Sequence, residues 1–255
     1  MGGDYVEPYA GGASIALELV IQEFAAHVHI NDLDPSVWAF WHSVLNDAEA
    51  LCERISNVPV TMESWFEQKE VQKNKNNSTS IDLGFSTFFL NRTNRSGILK
   101  AGVIGGKKQE GNFKIDARYN KDELIRRILL IHDHRDRISL YSLDAVDLLQ
   151  NIVPDLPDNT LIYLDPPYYV KGGDLYEHHY KHDDHRKVAD AAREIRQHCM
   201  VSYDDVPEIR DLYNDYQYVS YSLSYCAQNR YRGTEAIFLG PSLECPGLRA
   251  SMQAA

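Results

Sequence analysis

A carboxylate, two prolines and two aromatic rings follow one another at Asp165-Pro166-Pro167-Tyr168-Tyr169, directly after the apolar run Leu161-Ile162-Tyr163-Leu164. The run has strand character, and Pro166 and Pro167, with no N–H and a fixed φ, must end it. Asp165 therefore stands at the carboxyl end of a buried strand, the edge at which open α/β sheets bind ligands. A carboxylate beside a proline-exposed carbonyl can accept both hydrogens of an exocyclic amine, and Tyr168 offers a ring to stack on a flat base. The plainer alternative is a strand running into a Pro-Pro turn with an ordinary capping aspartate, since short motifs also occur by chance.

A second stretch bears on the choice. Near the start stand Tyr5-Val6-Glu7-Pro8-Tyr9-Ala10-Gly11-Gly12-Ala13-Ser14 and then an apolar helical run to Phe24. Gly11 and Gly12 permit a tight strand-to-helix turn and close approach of a ligand to the backbone. Together, Glu-Pro-Tyr-Ala-Gly-Gly and Asp-Pro-Pro-Tyr, in this order, resemble the Dam-like family of S-adenosylmethionine-dependent DNA N6-adenine methyltransferases, over Tyr5 to about Leu239. Asp-Pro-Pro-Tyr alone is shared with other amino-methyltransferases; the pair with the middle segment is specific. The resemblance implies a catalytic set of Asp165, Pro166, Pro167 and Tyr168. It also implies a cofactor site drawn from Glu7, Pro8, Tyr9, Gly11, Gly12, Asp32, Asp144 and Asp165.

Two of those acids have local rivals. The alternating run His27-Val28-His29-Ile30-Asn31 reads as the second strand and ends at Asp32, where nucleotide-type folds place an acid on the ribose. Asp32 or Asp34 could instead cap the helix that begins near Pro35. Asp34 suits the cap better, which leaves Asp32 for the ligand. Asp144 closes the strand-like run 137–144, beside the cofactor adenine in the family; Asp147, one turn on, reads as surface.

The middle third holds the basic residues, among them Lys69, Lys73, Lys100, Lys114 and Arg118. The polar run 69–84 reads as an exposed loop. After it, Leu90-Asn91-Arg92 with Gly97 resembles the opening of the family's target-recognition region. Gly105-Gly106-Lys107-Lys108-Gln109-Glu110-Gly111-Asn112-Phe113 then suits a mobile loop touching phosphates and base edges, or a plain surface hairpin. Asn91, Arg92, Arg95, Lys107, Lys108 and Asn112 are the expected DNA contacts. The fuller Arg/Asn pattern of well-known members is missing here, so no target sequence carries over.

The chain has 255 residues, 44% hydrophobic and 25% charged, enough for one α/β domain with an insertion. No apolar run approaches the ~20 residues of a membrane span, and no signal segment opens the chain. The four cysteines are dispersed and form no Cys-x-x-Cys pair, which points to a reduced, cytoplasmic setting without zinc. His178, His179, His182 and His185 lack the spacing of a zinc helix, and the family carries no metal here. The net charge of −11 argues against a general nucleic-acid binder but leaves room for a local basic patch.

The expected fold is α/β, a Rossmann-like S-adenosylmethionine-dependent methyltransferase sheet built from 1–53 and 130–240, with a target-recognition insertion at 54–129 and an unstructured tail at 241–255. The expected activity is methyl transfer to N6 of a flipped adenine in double-stranded DNA, by a monomer, without metal or membrane. An amino-methyltransferase for RNA or a protein side chain, and a non-catalytic DNA-binding relic, are the rivals. The loop 170–176, glycine-hinged, is a candidate lid. In the family a segment with a Gly-Gly-Lys turn and a helix usually precedes the Glu-Pro motif and covers the cofactor's methionine end. Here Met1-Gly2-Gly3-Asp4 leads directly to the first strand, so weak cofactor affinity and low turnover are expected of the chain as given.

Overall fold

The computed structural model describes residues 2–170, 180–225 and 231–243, with 222–225 and 231–233 described by backbone alone. The candidate lid beyond Val170, His178, His179, residues 226–230 and the tail from 244 onward lie outside the described residues. The chain forms two compact units, Met1–Asp32 with Leu143–Ala255, and Leu33–Ser142.

The first unit holds six strands among the described residues: β1 (Tyr5–Glu7), β2 (Val28–Asn31), β4 (Leu161–Leu164), β5 (His198–Asp204), β6 (Gln217–Tyr225) and β7 (Tyr231–Leu239). Their order is β2-β1-β4-β5-β7-β6. The first four run parallel, and β7 enters antiparallel between β5 and β6. β1 and β2 are buried at every residue, as a parallel strand covered on both faces must be. This is an α/β sheet of Rossmann-like type, closed by an antiparallel strand pair. The chain leaves β1 toward β2 on one side, and β4 lies on the other, so the switch point falls between β1 and β4. Three helices of this unit are α1 (Ser14–Ile21), α7 (Ala145–Asn151) and α8 (His182–Glu194), and a short α9 spans Pro207–Leu212.

The second unit is helical: α2 (Pro35–Asn46), α3 (Ala48–Asn57), α4 (Met62–Lys73), α5 (Ser80–Thr93) and α6 (Lys121–Asp133), followed by the strand β3 (Ile138–Tyr141). α5 is its centre. Leu83 through Leu90 are buried without interruption, so the helix is covered on all sides rather than along a stripe. Gly84 allows the closest approach: a Cβ there would meet the Ala39 carbonyl oxygen of α2 at 2.5 Å. Because α2 and α3 pack with α5 and α6, the structure groups 33–142 together, a wider segment than the 54–129 expected from the sequence.

The polar run 69–84 is not a loop. α4 continues to Lys73, a single 3-10 turn occupies Lys75–Asn77, and α5 starts at Ser80. The Thr79 hydroxyl accepts the Asp82 N–H at 3.2 Å and caps α5, so the Asn/Ser/Thr cluster marks a helix boundary instead of an open segment. The segment that opens at Pro35 forms two helices, broken at Asp47. Asp184 accepts the Lys181 N–H at 3.0 Å at the start of α8.

Candidate active site

The carboxyl ends of the parallel strands gather the sequence-predicted residues of the first unit. β1 ends at Glu7, which is buried. Its Oε1 accepts the Tyr5 hydroxyl at 3.1 Å and the Ala16 N–H of α1 at 3.1 Å. A carboxylate against a helix N-terminus is electrostatically favoured. Burial nonetheless dominates and pushes the Glu7 pKa up to about 7, with the charge of Asp165 adding to it. The turn that follows carries Gly11 and Ala13 at positive φ, and a Cβ built at Gly11 or Gly12 would meet nothing within 4 Å. The backbone is bare on that side, as a ligand approaching it requires.

Asp32 accepts the Gly11 N–H at 2.9 Å through Oδ2. Asp34 takes the other role, capping α2 by accepting the Ser36 N–H at 2.8 Å. Asn31, which the sequence shows only as the end of a strand, ties the loops together. Its amide donates to the Pro8 and Leu143 carbonyls at 2.9 and 3.0 Å, and its Oδ1 accepts the Leu143 N–H at 2.8 Å. Buried and fully engaged, it fixes the Glu-Pro turn against the turn before Asp144. Asp144 caps α7 by accepting the Val146 N–H at 2.9 Å, and Asp147 is exposed. Tyr9 meets Tyr180 hydroxyl to hydroxyl at 3.3 Å.

Asp165 follows β4 on the other side of the switch point. It is exposed by surface area, yet the protein packed around its carboxylate penalises the charged form and raises its pKa. Ser202 opposes this by donating to Oδ1 at 2.7 Å, and Glu235 reinforces it by charge. The carboxylate is open on one side and surrounded on the rest. Pro166 and Pro167 are buried and Tyr168 is half-buried. The Tyr168 hydroxyl donates to Glu235 Oε1 at 2.8 Å. Asp204 accepts the N–H groups of Tyr169 and Val170 at 2.8 and 2.9 Å. Ser202, Asp204 and Glu235 were missed from sequence; a seryl and an acid two apart on a strand are its only trace.

The sequence profile of the D12 class N6 adenine-specific DNA methyltransferase matches residues 2–225. The chain belongs to that family. Curated protein sequences gave no match. Among solved structures, it is similar to Sp1610 of Streptococcus pneumoniae, a proposed tRNA (m1A22) methyltransferase, at 9% identity and a TM-score of 0.42, covering 100% of this chain and 74% of that one. It is also similar to precorrin-6y C5,15-methyltransferase from Geobacter metallireducens GS-15, at 10% identity and a TM-score of 0.38, covering 94% and 81%. Likeness at that level says nothing of substrate.

The methyltransferase uses S-adenosylmethionine, and the residues present fit that group. Bare glycine backbone at 11 and 12 and carboxylates at 7 and 32 are a set suited to a cation with ribose hydroxyls. Among the described residues no cluster of His, Cys, Asp and Glu has the arrangement of a metal site, and no helix is long and apolar enough to cross a membrane.

The candidate DNA contacts lie in the second unit. Asn91 donates to the Gly97 carbonyl at 3.0 Å and its Oδ1 accepts Arg92 Nε at 3.0 Å, so its amide is occupied locally. The Arg92 pKa is lowered by burial and then by Arg118 and Arg127 nearby. Arg95, Lys107, Lys108 and Asn112 are exposed. Gln109, at positive φ, holds the glycine loop in shape: its amide donates to Ile104 and Gly106 carbonyls at 2.8 and 2.7 Å and accepts the Ile115 N–H at 2.8 Å. Phe113 stands out from that loop, 73% exposed. The buried Asn94 supports the region, accepting Trp65 Nε1 at 2.7 Å.

Proposed function

We propose that the chain transfers a methyl group from S-adenosylmethionine to the N6 amine of an adenine flipped out of duplex DNA. The observation that carries this reading is Asp165, held by Ser202 at the end of β4 across the switch point from Glu7. The amine cannot be reached in the needed geometry inside the stack, so the base must leave it. The N6 lone pair is delocalised into the ring and is a weak nucleophile. Asp165 and the Pro166 carbonyl accept the two amine hydrogens, localise the lone pair on nitrogen, and the carboxylate takes up the proton released as the N–C bond forms. A raised pKa makes Asp165 a better acceptor than an ordinary aspartate. Tyr168 stacks on the base, a contact of about 1–3 kcal/mol. Bound S-adenosylmethionine supplies an activated methyl group on sulfonium, so the protein contributes alignment and electrostatics.

Glu7, the Gly11-Gly12 turn, Asp32 and Asp144 hold the cofactor in this reading, with Pro8 and Tyr9 shaping the turn. Lys107, Lys108, Arg95 and Asn112 meet the DNA, supported by Asn91 and Arg92. The test is modification-aware sequencing of DNA from an adenine-methylation-deficient host expressing the protein. N6-methyladenine confined to one short sequence context supports the reading; unmodified DNA with modified RNA or protein would replace it.

A further inference from the structure

Glu235 is a buried acid that the reaction as described does not use. It lies mid-strand in β7, paired in register with Asp204 of β5 on one side and Tyr221 of β6 on the other. Residues directly opposite on antiparallel strands share a face. Both carboxylate oxygens are engaged: Oε1 accepts the Tyr168 hydroxyl and Oε2 the Tyr221 hydroxyl, each at 2.8 Å. Asp204 meanwhile accepts two successive N–H groups just past Tyr168. The segment after Asp165 is thus fastened to β5 and β7 at three points, two by backbone and one through the phenol of Tyr168.

We propose that Glu235 is a positioning residue for methyl transfer, fixing the Tyr168 ring in the attitude in which it meets the target base. The inference rests on the functional reading above. A tyrosine tethered at its hydroxyl cannot swing about χ1, and because a phenol O–H keeps near the ring plane, the direction of its acceptor also sets the ring face before the base arrives. Ordering a stacking ring in advance removes that entropy from the binding step. Burying a carboxylate is costly, and a strand of this sheet could carry an apolar residue there at less expense to folding. The geometry uses the acid to hold two phenols from different elements at once.

Glu235 also faces Asp165 electrostatically. The groups coupled to the Asp165 carboxylate are Ser202, which donates to it, Glu235, Glu7, Tyr5, Tyr163 and Tyr221. Of these Glu235 is an acid that raises the Asp165 pKa. Neutralising it therefore lets Asp165 stay ionised to lower pH, an effect that a purely structural role would not produce.

The experiment is a double-mutant cycle with Glu235→Gln and Tyr168→Phe in the full chain, using tritiated cofactor and plasmid DNA free of adenine methylation. Each single variant should lose about tenfold in single-turnover rate, in keeping with one hydrogen bond to a charged group. Calorimetric cofactor affinity should stay within about twofold, since neither group is in the cofactor site. The double variant should be no slower than the slower single, because both act on one tether: Tyr168→Phe removes the donor, and Glu235→Gln leaves a neutral acceptor in place of the charged one. The acid limb of the pH–rate profile should move to lower pH in Glu235→Gln. Multiplying losses, an unmoved acid limb, or wild-type rates in either variant would overturn the proposal. Should Glu235→Gln fail to fold, Tyr168→Phe cuts the same tether without touching β7, and its full activity would overturn the proposal alone. A wild-type protein that transfers no methyl group to DNA would overturn the functional reading, and this inference with it.

Discussion

Ser202 Oγ stands 2.7 Å from Asp165 Oδ1 and 2.9 Å from the Tyr163 hydroxyl. A seryl hydroxyl has one hydrogen, and it goes to the carboxylate; the Tyr163 hydroxyl must then donate to Ser202. The relay Tyr163 to Ser202 to Asp165 runs from β4 to β5 and back to the end of β4. It lowers the Asp165 pKa against the larger effect of burial. Ser202→Ala should therefore raise that pKa further and move the acid limb of the pH–rate profile upward, with the rate at its optimum down by about tenfold. Single-turnover rates between pH 5.5 and 8.5 would check it, and an unmoved limb would contradict it.

Cofactor affinity should fall as pH drops through about 7. Glu7 is ionised above its raised pKa of about 7 and protonated below it, and the ionised form is the one that accepts ligand hydrogen bonds. If only that form binds, the dissociation constant at pH 6 should be about tenfold that at pH 8. Glu7→Gln should abolish the difference. Calorimetry at both values tests this, and equal affinities in the wild type would take Glu7 out of the cofactor site.

Much of this site was legible in the sequence because it sits where chain chemistry changes abruptly. Asp165 precedes two prolines, Gly11 and Gly12 interrupt a strand-to-helix passage, and Asp34 is followed by Pro35, so strand ends and caps could be read from single residues. The residues that hold the site were not legible. Ser202, Asp204 and Glu235 lie on strands far along the chain from Asp165, and their role exists only through strand register. Asn31 looked like the polar end of a strand, and its partners at Pro8 and Leu143 come from the two separate chain segments of the unit. The run 69–84 failed for a different reason: its Asn, Ser and Thr residues favour turns and helix caps alike, and here Thr79 caps α5.

DNA binding should weaken with rising salt despite the net charge of −11, because exposed lysines at 107 and 108 would release counterions from phosphates. Reversing both to glutamate should flatten the plot of log affinity against log salt by about two units of slope. Fluorescence anisotropy with duplex DNA measures it. An unchanged slope would remove the glycine loop from the interface.

Gly84→Ala should destabilise the helical unit. The added methyl would sit 2.5 Å from the Ala39 carbonyl oxygen and against Ser43 Oγ, and backbone cannot yield cheaply there. The expected cost is about 1–3 kcal/mol, seen as a lower thermal midpoint. A midpoint equal to the wild type would show that α2 and α5 are less tightly apposed than the structure has them.

The most direct test of the account is the single-turnover rate of Asp165→Ala with tritiated cofactor and unmethylated DNA, measured beside its cofactor affinity. The account predicts methyl transfer lost by well over tenfold while affinity changes little, because Asp165 acts on the amine. A variant that keeps more than about a tenth of the wild-type rate, a loss under ~1.4 kcal/mol, would contradict it.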